Sequence, residues 1–163
     1  MTRIRHLSGT LRFGLWYALT TLPMFAFWEV AHAPLYTLWI ERGAAVGLKA
    51  ALHCTLGDMV IAFSCALAGL LVAVWMPALR TQLRVSGLII AFGLLTTIII
   101  ELISTQWLGR WAYRESMLVD PVFGIGISPL AQWLVVPAIS LQLLQSMLQD
   151  ELTSMAIPAI EVA

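Results

Sequence analysis

The sequence is poor in charged residues. Nine basic and nine acidic residues make up 11% of its 163 positions, whereas soluble domains carry about 25%. This shortage excludes a disordered tail and a nucleic-acid-binding domain, which needs a basic patch. The hydrophobic share is 60%, more than a soluble domain of this size can bury, so a soluble enzyme is excluded as well. The composition predicts a protein embedded in a membrane.

Familiar catalytic motifs are also missing. The chain has two cysteines and three histidines, and it contains no phosphate-binding loop, dinucleotide fingerprint, nucleophile elbow, HExxH or CxxC. Cys54 and Cys65 are separated by about 16 Å along a continuous helix, beyond the limit of about 7 Å between the Cα atoms of a disulfide. The function therefore has to be inferred from the placement of individual polar residues.

Four apolar segments are long enough to cross a bilayer as helices, which takes about 20 residues each. They cover residues 13–36, 51–76, 85–103 and 129–147. The segments predict an all-α fold, in which residues 1–163 form a single integral membrane domain built as a four-transmembrane-helix bundle. Pro23 and Pro137 lie inside the first and fourth segments and predict kinked helices.

The distribution of basic residues predicts the orientation. Basic residues near membrane ends tend to stay cytoplasmic, and the first helix usually dominates. One side of the predicted bundle carries five basic residues: Arg3, Arg5, Arg12, Arg80 and Arg84. The other side carries four: Arg42, Lys49, Arg110 and Arg114. We therefore expect both termini to be cytoplasmic.

Polar residues from all four segments fall at a similar depth. Glu29 and Glu101 each lie about 25 Å beyond the arginine that precedes their segment, at 1.5 Å per residue. Asp58 and Gln132 lie about 27 Å above the inner ends of their segments. Ionisable residues inside a membrane usually face the interior of the bundle. The alternating direction of the spans thus predicts a polar pocket in the outer leaflet.

A metal ion is one ligand that this pocket would suit. Glu29 and His32 have the Glu-x-x-His spacing found in dimetal four-helix bundles. Carboxylates and imidazoles suit zinc, iron or manganese, and Cys54 would favour copper, so the expected cofactor is a divalent transition metal. The predicted ligands are Glu29, His32, His53, Asp58 and Glu101. A polar network that only fixes helix packing and a proton or ion path are alternatives.

The spacing of His53 and Asp58 complicates the metal hypothesis. They are separated by about 140° around a regular helix and should not share a face.

The segment 104–128 combines aromatic and charged residues. Trp107, Arg110, Trp111 and Arg114 have helical spacing, and we expect an interfacial loop or helix here. A lid over the polar pocket and a docking surface for a partner or a lipid are the alternatives, with Gln106 and Tyr113 as further candidates. Ser128 followed by Pro129 is typical of a helix N-cap and first turn.

Two segments carry a resemblance. GRWAY at 109–113 and FGIGISPLAQW at 123–133 resemble small bacterial polytopic membrane proteins that have no assigned activity. The resemblance implies the bacterial inner membrane as the location, and it implies no reaction or cofactor.

The leading hypothesis is a membrane protein whose pocket binds a metal ion or a small polar ligand. One alternative is an accessory or assembly subunit of a larger membrane complex. Another is an intramembrane enzyme acting on a lipid or quinone, with Glu29, Asp58 or Glu101 as acid or base. The expected partners are the lipid bilayer and either another membrane protein or a second copy of the chain, without nucleic acid.

Overall fold

The computed structural model describes residues 2–156, with side chains from residue 8 onward, and the regular structure in this range is helical. The α-helices are α1 (Thr2–His32), α2 (Thr37–Arg42), α3 (Ala44–Trp75), α4 (Gln82–Leu102), α5 (Ile127–Leu143) and α6 (Gln145–Ala156). A π-helical turn, Ile103–Trp107, extends α4, and 3₁₀ turns occupy Ala33–Leu35 and Pro77–Leu79. The prediction of an all-α fold is confirmed for the described residues.

The four long helices form one bundle. α1 packs along α3, α4 packs between α3 and α5, and α5 also contacts α1. Glycines allow two of these approaches, since a Cβ at Gly69 would lie 2.7 Å from Ile89 Cγ1 and one at Gly93 would lie 2.3 Å from Trp133 Cε3. The buried Trp133 ring also packs on Phe25, with 5.0 Å between ring centroids. This packing places one face of α5 against the centre of the bundle.

Two helices are long and apolar enough to cross a membrane, Ala44–Trp75 and Gln82–Trp107. α5 and α6 make a third span if they are taken together, although they are bent by 73°. The outward face of α3 agrees with a lipid environment, because Leu52, Leu56 and Val60 form a stripe that is more than half exposed. The chain therefore has the character of a membrane protein with two or three apolar spans among its described residues.

The predicted first span, 13–36, is not among these helices. It folds as the C-terminal part of α1 and the following turn. This segment is less apolar than α3 or α4, because it contains Trp16, Tyr17, Thr20, Thr21 and Glu29. The four-span prediction is therefore confirmed only for its more apolar members. The chain stays helical through Pro23 and Pro137, and the kinks predicted there stay predictions.

Several predicted boundaries change. The second span begins at Ala44 instead of residue 51, and the fourth breaks at Leu144, after which α6 turns to lie against α1 and α4. α6 buries Leu148, Leu152 and Met155 on one side, which makes it an amphipathic helix. At the same end of the bundle, Arg80 donates to the carbonyl oxygens of Ala73, Val74 and Met155 and so joins the end of α3 to α6.

The segment after α4 was expected to be a loop or a helix, and the helix over 107–114 is wrong. After the π-helical turn the chain is irregular from Leu108 to Gly126, with isolated antiparallel bridges from Tyr36 to Tyr113 and from Val119 to Gly126. The physical reason is that tertiary hydrogen bonds replace those of a helix, because the backbone of this segment pairs with the chain after α1. Thr37 N–H donates to Ala112 O, and Arg114 N–H donates to Leu35 O.

Candidate functional site

A cavity of about 330 Å³ lies between the helices at the end where α1 stops. Its polar lining comes from α1 (Glu29, His32), α3 (His53, Cys54, Asp58), α4 (Thr97, Glu101) and the segment after α4 (Arg110, Trp111). Apolar and aromatic residues form most of the remaining wall, including Tyr36, Trp39, Ile61, Ile100 and Trp133. Both the volume and the mainly apolar wall with a few polar groups are typical of small-molecule sites, which measure about 300–1,000 Å³.

Gln132 joins two of the carboxylates. Its Nε2 donates to Glu29 Oε1 at 3.0 Å and to Asp58 Oδ2 at 3.1 Å, and Trp133 Nε1 donates to the other Asp58 oxygen at 3.3 Å. Gln132 is itself buried behind the cavity wall. α5 thus contributes two neutral donors that hold the acids of α1 and α3 next to each other.

His32 continues this network. Its Nε2 lies 3.2 Å from Glu29 Oε2, and its Nδ1 lies 3.0 Å from Ser128 Oγ. Ser128 Oγ also accepts from Trp28 Nε1 at 3.2 Å. If the Ser128 hydroxyl donates to Nδ1, the neutral imidazole carries its proton on Nε2 and donates it to Glu29, so every contact is satisfied.

The expectation that Ser128 caps a helix is wrong. The N-cap of α5 is Gly126, and Ser128 already lies inside the helix. Its hydroxyl is used by His32 and Trp28 instead of by the backbone at the start of α5. The residue therefore belongs to the site.

Glu101 is held by a separate set of donors. Tyr113 Oη and Trp111 Nε1 both donate to its Oε2, the indole at 3.3 Å. Burial and the nearby Glu101 charge raise the pKa of Tyr113 above its usual value, so the phenol keeps the proton that it donates. We call residues 110–114 the lid segment, because they lie over Glu101 and line the cavity through Arg110 and Trp111.

The lid segment is fixed to the end of α1. Besides its backbone pairing with residues 35–37, Arg114 donates to the carbonyl oxygen of Pro34 at 3.0 Å. The Tyr36 ring contacts His32, Trp111 and Tyr113, with centroid distances of 5.3, 6.5 and 5.5 Å. An aromatic cluster thereby connects the lid segment to the Glu29–His32 side of the cavity.

A tight turn leads from the lid segment to α5. Asp120 accepts from the backbone N–H groups of Val122, Phe123 and Ile125, at 3.0, 2.8 and 2.7 Å. The donors at Phe123 and Ile125 are the main reason that the pKa of this exposed carboxyl lies below its usual value. Gly124 has a φ of +68°, a conformation that few other residues adopt easily. The turn fixes the direction in which α5 begins.

Most of the residues predicted from the sequence meet at the cavity. Glu29, His32, His53, Cys54, Asp58, Glu101, Arg110 and Trp111 line it, and Gln132 and Tyr113 contact its carboxylates. Gln106 and Trp107 are exposed and do not line it; the Gln106 amide donates to Phe123 O instead.

His53 and Asp58 contribute to one site although they are not expected to share a face of the helix. Both residues line the cavity, because the cavity extends around more than one face of α3 and also touches Gly47 and Ile61.

The predicted metal site finds no ligand group. Among the described side chains, those of residues 8–156, no three from His, Cys, Asp or Glu are arranged so that they could hold a metal ion. His53 is exposed, and the hydrogen bonds of Asp58 and Glu101 are made to neutral donors. The metal-binding role of the five predicted ligands therefore stays a prediction, and the cysteines are both free thiols.

Sequence reasoning missed Trp133, Tyr36 and Thr97 as members of the site. Trp133 follows Gln132 directly, and its indole N–H donates to Asp58. The indole has this direction because the Trp133 ring packs against Gly93, a contact that the sequence does not reveal. Tyr36 could have been suspected from its position one turn after His32. Thr97 stands one turn before Glu101 on α4, a spacing that places both residues on the same helix face.

Comparisons of the chain with protein-family models, with curated proteins and with solved structures find no match. The function is therefore argued from the cavity alone.

Proposed function

We propose that this chain is an integral membrane protein that binds a small polar ligand in the cavity between α1, α3 and α4. The observation that carries the proposal is the convergence of three carboxylates from three helices, Glu29, Asp58 and Glu101, on one cavity. Intramembrane ionisable residues are costly and usually mark functional sites. A ligand that pairs with these groups would offset part of that cost.

The empty volume supports a binding site over a network that only fixes helix packing. A packing network needs hydrogen bonds between the helices, and those are already complete around Gln132. A packing network does not need a cavity of about 330 Å³. Such a cavity lowers stability, because the side chains around it lose the van der Waals contacts that close packing would give. The described side chains of residues 8–156 include no three-ligand group for a metal ion, which favours a small molecule as the ligand.

We further propose that α1 is a fourth crossing of a bacterial inner membrane and that both termini are cytoplasmic. The 31 residues of α1 exceed the about 20 that a crossing requires. Its exposed apolar side chains, which include Leu15, Leu19 and Phe27, would face lipid. In this orientation the arginines at the start of α1 lie inside and the cavity lies near the outer surface.

The two cysteines offer a direct test of an open cavity. Cys54 lines the cavity, whereas Cys65 lies on the same helix and is only 4% exposed. N-ethylmaleimide, a small neutral thiol reagent, should modify Cys54 in a C65A variant much faster than it modifies Cys65 in a C54A variant. The proteins are treated in their native membranes, and modification is followed by intact mass.

Equal and slow modification of both variants would mean that Cys54 is not reachable, and the proposed function would fail. Equal and fast modification would mean that α3 is not packed as described, with the same consequence. Denatured samples of each variant serve as controls for complete reaction.

A further inference from the structure

Two of the three carboxyl groups in the cavity, Asp58 and Glu101, have no basic group at contact distance among the described side chains. Asp58 accepts from Gln132 and Trp133, and Glu101 accepts from Trp111 and Tyr113; all four donors are neutral. In the part of the chain whose side chains are described, no basic nitrogen lies within 4.0 Å of either carboxylate. A carboxylate in apolar surroundings without a counter-charge is costly, and an incoming cation offsets that cost.

Three basic residues line the same cavity: His32, His53 and Arg110. Glu29 is the third carboxylate, and its ionisable partner is His32 at 3.2 Å. Arg110 is the permanent cation of the lining, but its side chain is exposed and lies beyond 4.0 Å from each carboxylate. Among the described lining residues, three acids therefore face one permanent cation, Arg110, and two histidines, His32 and His53, which carry charge only when they are protonated.

The walls suit a cation that has an apolar body. Tyr36, Trp39 and Trp111 bring aromatic rings to the cavity, and Ile61 and Ile100 bring aliphatic surface. Aromatic rings attract cations that lie within about 6 Å, most strongly where water is excluded. An anion would meet three carboxylates and the negative faces of these rings.

We propose that the ligand is a protonated amine with an apolar body, held by Asp58 and Glu101. The inference rests on the proposed function, because it names the ligand class of the same cavity.

The charge preference can be measured at Cys54 in the C65A variant. A methanethiosulfonate with an aminoethyl group delivers an ammonium, and one with a sulfonatoethyl group delivers an anion. The rate ratio is the reaction rate of the ammonium reagent divided by that of the sulfonate reagent. We expect this ratio at Cys54 to exceed the same ratio at free 2-mercaptoethanol by about tenfold or more.

Glu101→Gln is the matched charge-only variant. Both hydrogen bonds to Glu101 reach Oε2, so the Gln carbonyl can keep them while the charge is lost. This variant should lower the rate ratio several-fold. Glu115→Gln makes the same change at an exposed residue outside the cavity lining and should leave the ratio unchanged.

The outcomes separate this inference from the proposed function. If N-ethylmaleimide reaches Cys54 but the charged reagents show the ratio of a free thiol, the cavity exists and the amine proposal is overturned. If N-ethylmaleimide does not reach Cys54, both proposals fail. A preference for the anionic reagent would also overturn the amine proposal.

Discussion

Replacing Gln132 by Leu should destabilise the bundle more than any exposed Gln→Leu change does. The side chain is 2% exposed and donates one hydrogen bond to each of two carboxylates, Glu29 and Asp58. Hydrogen bonds between membrane helices contribute about 0.6 kcal/mol on average and up to about 1.7, so two of them amount to about 1–3 kcal/mol. Leu has a similar volume, so the loss comes from the hydrogen bonds and not from a new void.

Gln142→Leu is the matched control on the same helix, since Gln142 is exposed and bonds only to the neighbouring Gln145. The free energy of unfolding is measured for both variants by reversible denaturation in mixed micelles, followed by circular dichroism. Q132L should fall below Q142L by the amount given above. If the two variants unfold alike, Gln132 does not hold the carboxylates together and the reasoning is refuted.

Two further predictions concern the supports of the site. Gly93→Ala should lower the free energy of unfolding by about 1–3 kcal/mol through overpacking, because the added Cβ would lie 2.3 Å from the Trp133 ring. Gly87→Ala is the control: a Cβ there would have no atom within 4 Å, so this variant should be neutral or stabilising in the same unfolding assay. The lowered pKa of Asp120 means that its stabilisation of the turn is complete above the ordinary carboxyl pKa and is lost as the pH falls through the lowered value. Hydrogen-exchange protection of the Ile125 amide should accordingly fall on acidification, whereas in Asp120→Asn it should not depend on pH over this range.

The convergence of the polar residues could be inferred from the sequence because it depends only on helix rise and chain direction. Glu29, Asp58 and Gln132 lie at matching distances from the ends of their segments, and the structure joins them through one amide group. Which side chain bonds to which depends on helix rotation. Rotation is set by close contacts such as Trp133 on Gly93, and no periodicity in these apolar helices reveals it.

The lid segment shows why the loop could not be predicted. Trp107, Arg110, Trp111 and Arg114 have helical spacing, yet the backbone there pairs with residues 35–37. Those contacts join positions about 75 residues apart in the sequence, and local patterns carry no information about them. For the same reason Ser128 was expected to act locally as a cap, whereas it bonds to His32 and Trp28.

The central claim is that carboxylates from separate helices meet tryptophan donors at one cavity, and the indole N–H resonances test it most directly. In a ¹H–¹⁵N spectrum of the ¹⁵N-tryptophan-labelled protein in micelles, Asp58→Asn should shift the Trp133 signal most, and Glu101→Gln should shift the Trp111 signal most. The signal of Trp75, which is 82% exposed at the opposite end of α3, should stay in place in both variants. Unchanged Trp133 and Trp111 signals, or equal shifts at Trp75, would contradict the account.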